Sequence, residues 1–331
     1  MTGSRLRSTG SRLGGSVVTR AAGERADQLA GRAFVRELAR RGFPYLLLAP
    51  TLAYLLAFQI YPILYNLWLS LTDLHLLRSP VPRFIGLQGY GDLLARDPNF
   101  WPIFRNTFVW VAGSTVLQFA VGLAGAILLN SRVPLRAVWR GLMLVPWVTP
   151  VVVVGITWRW IYDAQFGLLN AYLRSAGVID QPVVWLGNAL TAWPALLLAS
   201  TWKGYPYMCL MLLAGLQSIP KELHEAAAVD GAGGAQQLWH ITLPLLRPVA
   251  TTVALLATVL TWNNFQMIWV LTEGGPAFAT SVLATYVYTK GFVFFDLGSG
   301  AATAVISTLF IIALAVVYQR SITRRWETEV A

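Results

Sequence analysis

The chain has 331 residues, of which 56% are hydrophobic and only 12% charged, and its mean hydropathy is +0.56. A soluble domain carries about twice that charged fraction, so the composition excludes an ordinary soluble enzyme or binding module and points to the membrane. The net charge of +10 then reads as topology, with basic residues kept on the cytoplasmic side, and not as a nucleic-acid footprint.

Residues 1–42 are polar and Arg-rich, opening on a Ser/Gly/Arg stretch of disordered composition. The pattern "ERADQLAGRAFVRELARR" over 24–41 predicts a short basic interfacial helix. A secretory signal is not expected, because the apolar run that follows is too long and lacks a cleavage site. Six apolar runs come next, at 45–71, 107–129, 141–162, 190–216, 248–271 and 300–318. Each is long enough to cross a hydrocarbon core of about 30 Å as a helix rising about 1.5 Å per residue. The predicted class is an all-α polytopic membrane protein with six transmembrane helices. Residues 1–42 form a basic tail, 43–320 the transmembrane domain and 321–331 a C-terminal tail.

Basic residues concentrate in the N-terminal tail, 130–140, 217–247 and the C-terminal tail. That asymmetry predicts both termini in the cytoplasm. Without the long tail the preference weakens but keeps its sign. The external connections are the longer ones. Residues 72–106 and 163–189 carry amphipathic patterns and are expected to fold as small caps.

The cytoplasmic segment 217–245 holds "HEAAAVDGAGGAQQLWHITLPLL". Ser218 is placed to cap a helix whose first turn contains Pro220, a residue tolerated where its missing N–H is not needed. Glu222 favours that helix start electrostatically. Gly231 suits the residue just past the helix end. A second short helix, "AQQLWHITL", is expected to end near Pro244. Lys221 faces Glu222, Glu225 and Asp230, so the loop is locally acidic and suits a basic protein surface better than anionic lipid.

The spacing Glu225-Ala226-Ala227, three residues, Gly231, nine residues, Ile241, one residue, Leu243-Pro244 resembles the EAA signature of permease subunits in binding-protein-dependent ABC importers. "FIGLQGY", "NTFVW", "GLAGAILLN", "TWKGYPYMCLMLLAGLQSIP" and "WVLTEGGPAFAT" stand in the order of the sugar-permease branch, that of the maltose and glycerol-3-phosphate importers. The likeness covers roughly 43–320. It implies a type I importer permease fold in a bacterial inner or plasma membrane. It also implies a second permease subunit, two copies of a cytoplasmic ATPase and an extracytoplasmic solute-binding protein. In that reading segment 217–245 is the coupling helix region. Glu225 meets basic or polar groups of the ATPase, Ala226 and Ala227 allow close approach, and Gly231 allows the turn. Asp230, Ile241, Leu243 and Pro244 belong to the same coupling segment. The "GAGG" that includes Gly231 is richer in glycine than the family pattern.

A P-loop needs Gly-Lys followed by Ser or Thr. None of Lys203, Lys221 and Lys290 has Gly before it or Ser or Thr after it. ATP and Mg are therefore expected on a partner, and this chain is expected to bind no cofactor and catalyse no reaction. One cysteine, Cys209, and three scattered histidines offer no intrachain disulfide and no metal site.

Two clusters interrupt the apolar runs. Lys203 lies deep in "TWKGYPY", beside Gly204 and Pro206, which weaken the helix. It fits either a structural role, satisfying carbonyls freed at a kink, or contact with substrate. Asn263, Asn264 and Gln266 lie in "TWNNFQ", beside Trp262 and Phe265. Amides there suit sugar hydroxyls or interhelical hydrogen bonds equally. Asn263 and Asn264 point about 100° apart on a helix, so they are not expected to line one path. Tyr205, Tyr207 and Gln118 are further candidates. The expected function is ATP-driven import of a carbohydrate. A polyol or glycerol-phosphate substrate is the alternative, and a gradient-driven transporter or a membrane scaffold is a rival from another class.

Overall fold

The structure is a computed structural model that describes residues 45, 47–131 and 133–330. The helix expected over 24–41 lies outside the described residues. The chain divides into two compact units, one through Tyr65 and one from Asn66 onward. The described residues form helices and no sheet. Isolated bridges join Thr72 to Phe84 and His75 to Ser79 and Asp296.

Helix α1 (Leu47–Leu69) contains a π turn at Leu56–Ile60. Through the first unit its residues are mostly apolar, and all but Leu55 are exposed, as suits a lipid-facing segment. In the second unit, α2 (Gln88–Ala95) lies in the first expected cap. There Ser70 Oγ meets Tyr90 Oη at 2.6 Å and the Arg83 N–H donates to Asp73 Oδ1 at 2.9 Å.

Helix α3 (Phe100–Asn130) follows and packs most extensively on α7 (Ala189–Gln217). Small residues make that approach possible. A Cβ added at Gly122 would stand 2.5 Å from Met208 Cβ and 3.0 Å from the Cys209 backbone nitrogen. The two helices therefore touch almost backbone to backbone.

Between them in sequence, α4 (Arg136–Val148) and α5 (Val151–Ile161) meet at 91°. One straight span was expected over 141–162. Pro150 lacks an N–H and drives Thr149 to an extended ψ of 131°, so the helix cannot run through. The second cap holds α6 (Leu168–Ser175) and closes on buried Asn170. The Asn170 amide donates to Val183 O at 2.9 Å and accepts from the Val183 N–H at 3.1 Å and Trp185 Nε1 at 3.0 Å.

Helix α8 (Lys221–Val229) follows α7 after a three-residue break. Helix α9 (Gly234–Trp262) carries a π turn at Leu238–Thr242. It was expected to stop near Pro244 and restart at 248, but it runs through both. The proline leaves the fourth carbonyl before it without a donor, and a wider turn absorbs the ring without breaking the helix. Thr242 Oγ1 donates to Gln237 O at 3.3 Å in that turn. The span expected over 248–271 instead breaks after Trp262, and α10 (Gln266–Thr272) resumes beyond it. Helix α11 (Leu283–Tyr288) leads through a π turn at Thr289–Val293 into α12 (Leu297–Val330), which does not stop at 318.

The core gathers Phe100, Ile103, Trp110, Leu196, Trp262, Met267, Ile268 and Leu283 from α3, α7, α9, α10 and α11. Trp110 Nε1 donates to Thr261 O at 3.2 Å, and Trp262 Nε1 to Ser307 Oγ at 2.9 Å. Buried indoles thus keep a partner for their one donor. Among the described residues, four helices are long and apolar enough to cross a membrane, or five if the α4–α5 pair counts as one span. Helix α7 spans about 44 Å at 1.5 Å per residue, but Trp202-Lys203-Gly204-Tyr205-Pro206 dilutes its apolar character.

Candidate functional site

Two sites emerge at different levels of the second unit. The first is a cavity of about 240 Å³ at the bend between α4 and α5 and the break after α9. Gln118 of α3, Trp147 of α4, Ser200, Lys203, Gly204 and Tyr207 of α7, Ala257, Leu260 and Thr261 of α9, Asn264 and Met267 line it. Gln118 is fixed by its Nε2, which donates to Ser200 O and Ser200 Oγ, both at 3.1 Å. Gly204 makes room for it, since a Cβ there would stand 2.3 Å from the Gln118 amide carbon. The Tyr207 ring stacks on Trp147 with centroids 6.3 Å apart.

Lys203 is the one charged residue lining this cavity. Its Nζ donates to Pro146 O at 3.1 Å, Thr149 O at 2.7 Å and Trp147 O. These carbonyls lie at the end of α4, where the bend removes their helical donors. Asn264 faces the cavity, and its Oδ1 accepts the Met267 N–H at 3.2 Å at the start of α10.

The other expected path residues lie elsewhere. Trp262 is 2% exposed and is held by Phe310, stacked at 5.3 Å, and Phe108, edge-on at 5.7 Å. It is a core residue and does not line the cavity. Asn263 and Gln266 are exposed and outside it, and Asn263 donates to its own helix at Val259 O, 3.0 Å away. Asn263 and Asn264 do diverge, but they stand in the break between α9 and α10, where the 100° helical angle does not apply. Tyr205 is half-buried and also outside the cavity.

Ser200 was not singled out, nor were Ala257, Leu260, Thr261 and Met267. Their signal is in the spacing. Ser200, Lys203, Gly204 and Tyr207 stand at i, i+3, i+4 and i+7, as do Ala257, Leu260, Thr261 and Asn264, so each set shares one helical face.

The second site is the elbow between α8 and α9. Pro220, not Ser218, occupies the cap of α8, and Ser218 Oγ instead donates back to Gly215 O at 2.8 Å, closing α7. Gly231 has φ +85°. Past the end of α8, the Ala232 N–H donates to Ala227 O at 2.8 Å and the Gly231 N–H to Ala228 O at 3.1 Å, the paired bonds of a Schellman ending. The Gly233 N–H then donates to Gln236 Oε1 at 2.9 Å, which opens α9.

Glu225 and Ala226 are exposed on α8, and Asp230 is exposed at its C-terminal cap. Ala227, Asp230, Gly231 and Ile241 join Gln236 and His240 around a groove of about 390 Å³, so the elbow brings the two halves of the sequence motif together. Leu243 is half-buried and Pro244 exposed, both outside that groove. Among the described residues no cluster of three His, Cys, Asp or Glu side chains could hold a metal.

An ion pair ties the first cap to the π turn after α11. Lys290 Nζ lies 2.8 Å from Asp97 Oδ2, with side chains 13% and 11% exposed. Tyr286 Oη donates to the same oxygen at 2.6 Å, and the Asn99 N–H to Asp97 Oδ1 at 2.9 Å. Burial alone would raise the Asp97 pKa, but these donors outweigh it and hold the carboxyl below its ordinary value.

Comparison with known proteins places this geometry. Residues 118–328 match the family described as "Binding-protein-dependent transport system inner membrane component". The trehalose/maltose transport system permease protein MalF of Thermococcus litoralis is 39% identical over 281 residues, 83% of this chain and 91% of that protein. The sulfoquinovosyl glycerol transport system permease protein SmoG of Agrobacterium fabrum is 32% identical, covering 86% of this chain and 92% of its own. In fold, the chain is similar to one in the crystal structure of a bacterial ABC transporter that imports the acidic polysaccharide alginate. The TM-score is 0.75 at 21% identity, over 87% of this chain and 98% of the other. The α8–α9 elbow and the bent bundle above it are thus those of a permease subunit, and the chain belongs to the family of inner-membrane components of binding-protein-dependent transport systems.

Proposed function

We propose that this chain is one of two transmembrane subunits of an ATP-driven importer that moves a carbohydrate into the cytoplasm. The observation that carries the reading is the elbow: a short exposed helix with Glu225 outward and Asp230 exposed at its end, joined through the Gly231 turn to α9. It suits docking on a basic cleft of a cytoplasmic ATPase, with Glu225 meeting basic or polar groups and Ala226 and Ala227 permitting close approach. ATP and Mg are bound by two copies of that ATPase, and this chain binds neither. A sister permease and an extracytoplasmic solute-binding protein complete the assembly. Six spans, with α7 and the α4–α5 pair counted among them, put both termini in the cytoplasm, in line with the basic residues of 1–42, 130–140 and the C-terminus.

The cavity supports the substrate class. It offers amide, hydroxyl and aromatic groups and no carboxylate, a set that suits hydroxyls and C–H faces of a sugar. The names of the relatives above, trehalose/maltose and sulfoquinovosyl glycerol systems, are in keeping with it. Closure of the ATPases on ATP would move the elbow and open the cavity outward, and hydrolysis would reset it. Gentle purification of the tagged chain with mass spectrometry of its partners tests the assembly. A P-loop ATPase and a second permease are expected, and a chain recovered alone, where a known ABC complex survives, would sink the reading. Uptake competition by neutral against phosphorylated sugars then separates a carbohydrate from a glycerol-phosphate substrate.

A further inference from the structure

We infer that Lys203 is a positioning residue: its ammonium pins the α4–α5 bend to α7, and it does not serve as the counter-charge for a substrate. An ammonium has three N–H donors and no acceptor. All three are accounted for by Pro146 O, Trp147 O and Thr149 O. Each of those carbonyls is left over by the bend, because Pro150 brings no N–H and the chain turns by 91°. They also stand at the C-terminal end of α4, where the helix dipole is negative and a cation is favoured. The pairing is mutual. Carbonyls without partners would be costly in an apolar bundle, and so would a bare lysine charge. With its donors spent, Lys203 presents to the cavity mainly its methylene stem.

The placement of the pin gives it a role in coupling, which rests on the importer reading above. Helix α7 runs unbroken from Ala189 to Gln217, and α8 begins at Lys221. Lys203 sits about 21 Å along that helix from Gln217, at 1.5 Å per residue. A displacement of the elbow is therefore carried by α7 to the bend, and from the bend to the cavity wall that Trp147 forms.

The test uses spin labels at Val138 on α4 and Ile156 on α5, both exposed, in a chain whose single cysteine, Cys209, is replaced by alanine. Distance distributions are recorded in lipid for the assembled complex, with and without ATP and vanadate. The unmodified lysine should give one narrow distance that shifts with nucleotide. Lys203→Met should lose the narrow peak and its nucleotide response, and Lys203→Arg, which restores N–H donors, should recover both. A narrow, nucleotide-responsive peak in Lys203→Met would overturn the inference, since the bend would then hold without the ammonium. So would a loss in Lys203→Met that Lys203→Arg leaves unrepaired in a monodisperse complex. If no ATPase co-purifies, the importer reading fails by itself, while the peak width without nucleotide still decides whether Lys203 holds the bend.

Discussion

At Gly231 the backbone sits at φ +85° with open space where a Cβ would go, so alanine there meets no neighbour and incurs only the left-handed penalty of about 1–2 kcal/mol. We predict that Gly231→Ala loosens the Schellman ending, speeds amide exchange at Gly231 and Ala232 at least about fivefold, and weakens transport while membrane insertion stays intact. Unchanged exchange and uptake would remove the turn from the coupling argument. Gly204 presents the opposite case. A Cβ there would stand 2.3–2.6 Å from the Gln118 amide, which is a movable tip. Gly204→Ala should preserve the fold, displace Gln118 from Ser200 and weaken sugar affinity by about fivefold, the worth of about one hydrogen bond. A KM indistinguishable from the parent's would show that Gln118 does not face substrate.

At the scale of elements, the first cap is joined to α11 and the π turn after it by Asp97, Tyr286 and Lys290. Removing one partner of a buried pair typically costs about 3–5 kcal/mol, because the other charge is stranded. Asp97→Asn should therefore speed exchange across 88–99, and adding Lys290→Met should return part of the loss. Equal exchange in parent and Asp97→Asn would deny the latch any role. The pH dependence has a definite sign. The folded carboxyl titrates below its ordinary value, so the latch is fully present above about pH 3.9, the unperturbed value, and is lost as pH falls through the lower folded value. The protection of the cap amides, with the intrinsic pH dependence of exchange divided out, should hold level between neutral and mildly acidic pH.

Much of this was legible in the chain, for physical reasons that differ by element. The Gly231 turn and the apolar runs at 45–71, 107–129 and 300–318 rest on local rules, backbone freedom and hydrophobic length, and a long apolar helix stands at each of those runs. Proline was read less well. Pro150 turns the third run through 91°, Pro220 takes the cap position assigned to Ser218, and Pro244 passes inside a helix through a π turn. Whether a proline breaks a helix depends on what satisfies the freed carbonyls, and those partners are distant in sequence, as Lys203 is from Trp147. Trp262 stands in the core and outside the cavity lining for a similar reason: its neighbours Phe108 and Phe310 come from other helices. The periodic faces of Ser200–Tyr207 and Ala257–Asn264 were readable, and following i, i+3, i+4, i+7 from Lys203 and Asn264 would have found them.

At the scale of the whole molecule, the contact between α3 and α7 sets what can move. Gly122 lies so close to Met208 that even a methyl group would meet a Cβ and backbone atoms. Gly122→Val should cost about 1–3 kcal/mol or more by overpacking, read as a lowered melting temperature of the purified complex, and a parent-like melting curve would contradict so close an approach. A seam this tight also acts as a weld. With Gly122 against Met208 and the Gln118 amide seated in the space that Gly204 leaves, the α3–α7 pair is expected to move as a single beam. In the proposed importer, motion passed up from the elbow would then find no shear along that beam. It would reach instead the two places where the helical hydrogen bonding is already interrupted, the Pro150 bend and the Asn263–Phe265 gap, which flank the cavity.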